Sequence, residues 1–413
     1  MLDLDCGAEF DPSRDASFFA AIPSRPGVLR IEMSAPGAQP YLARTADLHR
    51  AAERLLGPPD PATKRLNLRA VAARLRYRLT GSKFEQIFAL YSHAKRDLPS
   101  RYRDFLRLRT PALLKINLRN SYPRCYVTRS VRADEGFYFG PFPSRRSADA
   151  FSEGFLDLFK IRRCQIKIRR DPAFPGCIYS EMKMCLAPCF AGCTKEEYDA
   201  ELARAVESLA SSGTWLTAEL SREREAASAA LDFERAAALH KRLEKAAAAL
   251  RSLPDAARRI EELDAVILTP AAEEKTIAAF PIHAAIFGEP FFIRFAELSS
   301  APRSVEAIFR NALDPASLIS RVAAADLSAS FGPAPEASAV SETPPVSAAD
   351  LRRRFGLRSA PAELGEHLAL FSRWFYSKPR EGEIFFREKD WPYRRILRAC
   401  SRLLAPPAME TSR

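Results

Sequence analysis

The sequence predicts a multidomain α+β protein, and three observations support this prediction. The chain has 413 residues, which is more than one ordinary hydrophobic core accommodates, so two to four domains are expected. Strand-like segments occur in two separate regions, around residues 112–132 and 263–297. A long helical run rich in Ala, Glu, Arg and Leu, from Thr194 to about Leu253, lies between those two regions.

Local composition and the pattern of apolar residues divide the chain into seven segments. In chain order they are an acidic lead-in (1–20), a region of short strands and helices (21–110), strands followed by a cysteine-rich segment (111–193), a helical region (194–260), a β-containing region (261–321), an Ala/Ser/Pro-rich flexible linker (322–349) and a C-terminal helical tail (350–413). No internal repeat is evident.

The net charge is strongly positive, at +12 with a pI near 9.4. Such a charge favours a polyanionic partner, with nucleic acid ahead of an acidic membrane surface. A generally basic, arginine-rich proteome is the alternative explanation.

Two classes of protein are disfavoured by the sequence. No apolar run reaches the roughly 18 residues needed to span a bilayer, so no membrane partner is expected. The first residues, MLDLDCGAEFDPSRDAS, are acidic and lack the apolar core of a signal peptide. We therefore expect a cytoplasmic protein, in which cysteines stay reduced and clustered cysteines bind metal more often than they form disulfides.

Four cysteines lie in a basic segment, with the spacing C-x12-C-x7-C-x3-C. They are Cys164, Cys177, Cys185 and Cys189. Four soft thiolate ligands suit zinc or an iron–sulfur cluster, and the spacing does not separate the two. Buried cysteines without a metal are the simpler alternative. The neighbouring cations Arg162, Arg163, Lys167, Arg169 and Arg170 are expected to offset thiolate charge and to lower the thiol pKa values.

The motifs around this segment resemble the N-terminal half of the UvrC family, the incising subunit of the bacterial excinuclease in nucleotide excision repair. The resemblance rests on EGFYFGPFPS at residues 135–144, on the four spaced cysteines ending in CLAPC, and on NSYP at residues 120–123, where the family has KSYP. It implies that the four cysteines hold a [4Fe–4S] cluster, with zinc as the alternative.

Residues 231–243, LDFERAAALHKRL, resemble the UVR motif, a helical hairpin that UvrC shares with UvrB. Asp232 is suited to cap the second helix and Phe233 to plug the hairpin tip, while Leu239 and Leu243 fall on one stripe. Three alanines at 236–238 would allow close helix approach. The resemblance implies a hairpin over about 212–247 that binds a UvrB-like partner through Phe233, Glu234, Arg235 and Leu239.

The resemblance also implies a GIY-YIG nuclease domain at residues 21–110, which uses a tyrosine, an arginine and one divalent metal held by a glutamate. The match is degenerate. Leu29 stands at the first family tyrosine, Tyr41 survives at the second, and Ala51 takes the place of the arginine.

The position of the metal-binding glutamate falls on Leu90, within EQIFALYSHAK at residues 85–95. Leucine cannot bind Mg²⁺, which requires oxygen ligands, and Glu85 lies on another helix face. The sequence therefore predicts an inactive nuclease site, so that Mg²⁺ would matter only if the site were active. In the family, an RNase H-like nuclease and helix-hairpin-helix modules follow, and residues 263–297 look like the leading strands of that region only.

A cluster of cations with interleaved tyrosines predicts a DNA-binding surface. Between residues 101 and 132 nine cations accompany one acid, Asp104, in the set Arg101, Arg103, Arg107, Arg109, Lys115, Arg119, Arg124, Arg129 and Arg132. The candidate DNA contacts are Arg101, Arg103, Arg119, Tyr122, Arg124, Arg129, Arg162, Arg163 and Lys167. Arginine suits phosphate oxygens and aromatic rings suit unstacked bases, although a solvated charged face is the alternative.

These observations predict a non-catalytic UvrC-like repair protein that binds damaged or distorted double-stranded DNA and a UvrB-like partner. The alternative is an active endonuclease that makes a single incision with a divergent GIY-YIG site.

Overall fold

The computed structural model describes residues 2–60, 62, 65–298, 304–313, 347–358 and 360–404. These residues form a mixed α/β, multidomain protein built on three antiparallel sheets. The coarse fold class predicted from the sequence is therefore confirmed. In the described part of the chain, no helix combines the length and apolar character that crossing a bilayer requires.

The strands are short and all of their pairings are antiparallel. They are β1 (Cys6–Glu9), β2 (Gly27–Met33), β3 (Tyr41–Thr45), β4 (Ala72–Leu79), β5 (Ala112–Ile116), β6 (Cys125–Thr128), β7 (Phe137–Phe142), β8 (Arg258–Arg259), β9 (Ala265–Pro270), β10 (Thr276–His283), β11 (Ile286–Phe287), β12 (Phe291–Arg294) and β13 (Glu383–Phe386).

The helices range from single turns to nineteen residues. They are α1 (Asp15–Ala20), α2 (Leu48–Leu56), α3 (Lys83–Asp97), α4 (Tyr102–Phe105), α5 (Arg145–Leu156), α6 (Ile178–Glu181), α7 (Lys195–Ala210), α8 (Thr214–Ala229), α9 (Phe233–Arg251), α10 (Phe295–Leu298), α11 (Val305–Leu313), α12 (Ala348–Phe355), α13 (Leu364–Phe375) and α14 (Tyr393–Leu404).

The N-terminal sheet has the strand order β1-β4-β2-β3. Its central strand, β2, reads GVLRIEM, and its apolar side chains Leu29 and Ile31 are fully buried. They pack with Leu55 of α2 and Leu75 of β4 in one core, because a β-rich apolar run is stable only when covered by another layer.

The predicted acidic lead-in is not separate from this sheet. Strand β1 pairs with β4, and Asp5 and Glu9 accept salt bridges from Arg78 (2.8 Å) and Arg74 (2.7 Å). The acids of the lead-in therefore complement the cations of the neighbouring strand, a relation that only strand pairing reveals.

The middle sheet has the order β6-β5-β7-β8, and helix α5 packs on one face. A row of phenylalanines fills this layer, with Phe139 and Phe142 of β7 against Phe151 and Phe155 of α5. The strands expected around residues 112–132 are present as β5 and β6. Helix α5, from Arg145 to Leu156, follows β7 in the chain.

The helical region consists of α7, α8 and α9, as its composition predicts. Thr194 and Glu197 form a capping box at the start of α7, with the Thr194 side chain accepting from the Glu197 N–H at 3.1 Å. Helices α8 and α9 then form an antiparallel hairpin joined at Leu231, whose φ is +57°.

The C-terminal sheet has the order β11-β10-β9-β13, with β12 also pairing with β10. Its edge strand β13 comes from the tail that the sequence predicts to be helical. Phe385 of β13 pairs with Val266 of β9, so the tail completes a sheet whose other strands precede it by about a hundred residues. The prediction of a purely helical tail was wrong because EIFF, a β-prone run of only four residues, is too short to identify without its partner strand.

The predicted linker also ends earlier than its composition indicates. Ser347 caps α12, and the backbone N–H of Ala348 donates to Asp199 of α7 at 3.2 Å. Residues 347–349 thus belong to a packed helix. The rest of the predicted linker, 322–346, lies outside the described residues.

Candidate nucleic-acid interface and cysteine cluster

Five of the predicted surface cations are exposed and have no acidic partner. No carboxylate in the described ranges forms an ion pair with any of them. They lie on α4 and its flanks and on the loop after β6, and they are Arg101, Arg107, Arg109, Arg129 and Arg132. Cations held without a counter-ion at the surface are available to phosphate oxygens.

Three other cations of this group are neutralised by acids that the sequence did not associate with them. Arg103 Nε lies 2.6 Å from Glu366 Oε1 of α13, and Arg119 Nε lies 3.4 Å from Glu135 Oε2. Lys115 is paired with Asp134. Burial by itself would lower the pKa of Lys115, but the contacts with Asp134 and Tyr138 outweigh burial, so the pKa is raised. The expectation that these cations face only Asp104 was therefore wrong, because folding brings in acids from outside the segment.

Arg162 does not lie on a DNA-binding face. Its side chain is buried, with 6% exposed, and it donates to the carbonyls of Tyr122 (2.6 Å), Cys164 (3.1 Å) and Ile166 (2.9 Å). Its role is to order the backbone that leads into the cysteine segment. Its assignment as a DNA contact is corrected for this reason.

Arg163 is also engaged inside the protein, whereas Lys167 is exposed. Arg163 Nη2 donates to Asp157 at 2.7 Å, and its side chain is only 14% exposed. An arginine held in this way has little freedom to reach a phosphate. We therefore place Arg163 with the structural cations and keep Lys167 as a surface cation.

The interleaved aromatic residues are mostly used within the fold. Tyr102 is buried, and Tyr122 packs edge-on against Tyr198 with ring centroids 5.2 Å apart. Arg124 stacks over the ring of Tyr126, with the guanidinium carbon 4.3 Å from the centroid. Of the three tyrosines, Tyr126 and Tyr122 stay half-buried and reachable at the surface.

The four cysteines of the predicted cluster lie near one another. Cys185 interacts electrostatically with Cys164, Cys177 and Cys189, and its sulfur accepts from the Ala187 N–H at 3.3 Å. Arg162 Nη1 lies 3.9 Å from Cys164 Sγ. Left-handed backbone at Ala187 and Ala191 turns the chain around the Cys189 segment.

The expected lowering of the thiol pKa values is not observed. Burial raises the pKa of the Cys185 thiol to about 11, and the nearby cysteines contribute to this rise. Burial also raises the pKa of Cys189. For these two thiols the expectation was wrong because loss of hydration on burial dominates the pKa shift.

Four cysteine thiols are chemically suited to bind a metal. Their positions in the structure satisfy only part of what a metal site requires. Cys185 interacts electrostatically with the other three thiols of the predicted cluster. Over the described residues, however, no three His, Cys, Asp or Glu side chains form a group that could hold a metal ion. Cys193, which follows these four in the chain, is buried in the core formed with α7.

The residues at the degenerate nuclease positions are apolar and buried. Leu29 has no exposed surface, and Ala51 and Leu90 are 6% and 5% exposed. Tyr41 pairs with Ile31 at the end of β3 and is half-buried. Leu90 belongs to a core that also contains Val28, Leu42 and several residues of α13.

Glu85, the acid nearest in sequence before Leu90, is engaged at the start of its helix. It lies in the first turn of α3 with 1% exposed, and it accepts from the Gly81 N–H at 2.9 Å. Arg78 Nε lies 3.6 Å from it. Burial raises the pKa of Glu85. Its carboxylate accepts a backbone hydrogen bond just before the start of α3.

The hairpin tip exposes two large apolar side chains. Phe233 is 66% exposed and Leu231 is 71% exposed, so Phe233 does not plug the tip as predicted. The predicted cap is confirmed, because Asp232 Oδ1 accepts from the Arg235 N–H at 3.0 Å. Leu239 is 6% exposed and packs in the core with Leu243, which corrects its assignment as a partner contact.

The alanines of the motif contribute less to packing than predicted. Ala236 is half-buried against the core, while Ala237 and Ala238 are exposed. Together with Glu234 and Arg235 they leave the outer face of the tip open.

A buried polar network was missed in the tail. Glu366 of α13 accepts from Tyr91 Oη (2.8 Å), Tyr102 Oη (2.7 Å) and Arg103 Nε (2.6 Å). Beside it, burial lowers the pKa of His367 to about 4, and His367 Nδ1 accepts from the Phe287 N–H at 3.1 Å. The available signal was a Glu-His pair inside the apolar run LGEHLALF.

The comparisons with known proteins bear on the region that carries the cations and cysteines. The model of the UvrC/Cho excinuclease middle domain matches residues 112–208. This range contains β5 to β7, α5 and the four cysteines. This part of the chain is therefore similar to the middle domain of UvrC-type excinucleases.

Similar UvrC proteins come from several bacteria. UvrABC system protein C of Dehalococcoides mccartyi is 28% identical over 267 residues, which cover 63% of this chain and 43% of that protein. The protein of the same name from Moorella thermoacetica is 30% identical over 249 residues, covering 60% and 40%. That of Nitratidesulfovibrio vulgaris is 38% identical over 135 residues, covering 32% and 19%.

The aligned part of the chain thus corresponds to less than half the length of these curated relatives. No solved structure matches the chain. The matched middle domain lies outside both the N-terminal sheet and the α8–α9 hairpin.

Proposed function

We propose that this chain is a nucleotide excision repair protein that binds damaged or distorted double-stranded DNA and a UvrB-like partner, without nuclease activity of its own. The observation that carries the proposal is the set of exposed, unpaired arginines on and beside the middle domain. Similarity to UvrABC system protein C of several bacteria supports a role in repair. The buried apolar residues Leu29, Ala51 and Leu90 support the absence of incision.

The DNA contacts are expected from Arg129 and Arg132, which border one groove of about 350 Å³. The double change Arg129→Gln with Arg132→Gln should weaken duplex binding and reduce the slope of log affinity against log salt by about 2, because each phosphate contact contributes about 1. Fluorescence anisotropy with a lesion-bearing duplex across a salt series measures both quantities.

The matched control for the DNA experiment is Arg222→Gln on α8, an exposed arginine without an acidic partner in the described residues. It removes one charge at a distance from the groove and should leave the salt slope unchanged. Equal slopes for the double variant and for the unaltered protein would contradict the assignment.

The partner contact is expected at the hairpin tip. Phe233→Asp should reduce binding of purified UvrB more than tenfold while DNA binding stays intact, because a charged group would replace an exposed apolar anchor. Since the Phe233 side chain is 66% exposed, the free energy of unfolding should change by no more than about 0.5 kcal/mol. A pull-down with immobilised UvrB measures the loss.

Lys241→Asp, two turns along α9 on an exposed position, is the control for an added acid on the same helix. It should keep the partner. Retention of UvrB by Phe233→Asp at the level of this control would remove the tip from the proposed interface.

The proposal includes a metal centre held by Cys164, Cys177, Cys185 and Cys189, with a [4Fe–4S] cluster ahead of zinc. Such a centre would hold the cysteine segment against the middle domain. It would stabilise the fold and would not take part in catalysis. Cys185→Ser should abolish bound metal and loosen residues 161–193, because one of four ligands is lost. Anaerobic purification followed by elemental analysis for iron and zinc measures the outcome.

Cys6→Ser is the matched control for the metal analysis, since Cys6 lies in β1 of the N-terminal sheet. It should retain full metal content. Protein that carries neither iron nor zinc before any substitution would contradict the metal centre and leave the DNA and partner proposals standing.

A further inference from the structure

A cleft of about 300 Å³ lies between the N-terminal domain and the tail. Strand β3 and the start of α3 form one side, and the C-terminal end of α13 with the turn that follows forms the other. The basic side chains at this cleft are Arg44, Lys83, Arg373 and Lys378, and the apolar ones include Phe84 and Trp374.

Two guanidinium groups approach each other in this cleft without a carboxylate between them. Arg44 of β3 has no hydrogen-bonded or ionic partner for its side chain among the described residues, and Arg373 of α13 has none that is acidic. Arg373 Nη2 donates to the carbonyls of Leu106 (3.1 Å) and Arg107 (2.8 Å), which fixes the group in place. Burial lowers the pKa of Arg373, and the charge of Arg44 lowers it further.

The other charges of the cleft leave a cationic excess. Glu381 is engaged by Lys83, whose Nζ lies 3.1 Å away and whose backbone N–H donates to it at 2.8 Å. Lys378 adds another exposed cation. Like charges held together at fixed positions raise the free energy of the protein, and an anion between them would relieve that cost.

The shape of the cleft restricts the identity of the anion. Inorganic phosphate alone would leave most of the volume and the apolar wall of Phe84, Ile87, Leu370 and Trp374 unused. A planar apolar group attached to a phosphate uses both features. A nucleotide unit combines a phosphate with a base in this way.

We propose that this cleft binds a single nucleotide unit of DNA, with its phosphate between Arg44 and Arg373 and its base and sugar against the apolar wall. The inference deepens the proposed DNA binding and rests on it. It assigns a function to the tail, because Arg373, Trp374 and Lys378 all come from residues 350–404.

The test compares three small probes by isothermal titration calorimetry, using the full chain. Deoxyadenosine monophosphate should bind at least tenfold more tightly than either deoxyadenosine or inorganic phosphate, because only it carries both features. Inorganic phosphate that binds as tightly as the nucleotide would identify a free-phosphate site and overturn the proposal. Absence of nucleotide binding would overturn it as well.

Two variants locate the site. Arg44→Gln and Lys378→Gln should each weaken nucleotide binding, the former about tenfold, since a charge-assisted hydrogen bond to phosphate is lost. Arg44 is exposed and its side chain makes no internal bond in the described structure, so the fold should be retained. Arg222→Gln should bind as the unaltered protein does, and a loss in this control equal to that of Arg44→Gln would overturn the assignment.

Duplex binding separates this inference from the function on which it rests. If a duplex binds with a steep salt dependence while the nucleotide does not bind, only the cleft proposal fails. If the nucleotide binds and the duplex does not, the proposed DNA-repair function fails instead.

Discussion

Leu90→Glu, which restores the family carboxylate at its aligned position, is expected to destabilise the protein by about 3–5 kcal/mol and to create no nuclease. The change removes a buried apolar side chain and places an unpaired carboxylate in a core that is 5% exposed at this residue. Thermal unfolding and a nicking assay with Mg²⁺ on lesion-bearing duplex measure the two outcomes.

The reason lies in what surrounds α3. This helix buries residues on nearly all of its faces, including Phe84, Phe88, Leu90 and Tyr91. The same core contains residues of the C-terminal sheet and of α13. Metal binding by an acid at position 90 would require access to water and phosphate, which the burial of this helix prevents.

The control for this prediction is Leu90→Met, which conserves volume and should cost less than about 1.5 kcal/mol. A folded Leu90→Glu protein that nicks DNA, with the cut abolished by a further Tyr41→Phe change, would contradict the burial argument. Nicking by the unaltered protein that is abolished by Tyr41→Phe would support the alternative of a divergent active site.

Features set by neighbouring residues were predictable from the sequence. The cap of α9 by Asp232 depends on a contact three residues away, and the capping of α7 by Thr194 follows the same rule. In each case the partners lie within a few turns of chain.

Features set by distant partners were not predictable. Arg162 looks like a surface cation in the sequence, but it is buried because the Tyr122 carbonyl, forty residues earlier, accepts its Nε. Arg103 is neutralised by an acid 263 residues later. Phe233 was expected inside the hairpin, yet its side chain is 66% exposed. None of these relations has a local signature.

The tail shows this limit most clearly and leads to the second large effect. Glu366→Ala is expected to cost about 3 kcal/mol, because it leaves the buried hydroxyls of Tyr91 and Tyr102 without their acceptor. Hydrogen exchange should show the loss first in α3 and α13, which the network joins, and should leave the α8–α9 hairpin protected as before.

Glu306→Ala is the control variant. It also removes a glutamate that forms a salt bridge with an arginine, but on an exposed helix. Glu306 lies 2.7 Å from Arg310 at i,i+4 on α11, where such a pair contributes about 0.5 kcal/mol or less. Equal destabilisation by the two changes would mean that the network does not fasten the tail. A larger loss for Glu366→Ala, confined to α3 and α13, would show that the tail and the N-terminal domain form the cleft at Arg44 and Arg373 as one packed unit.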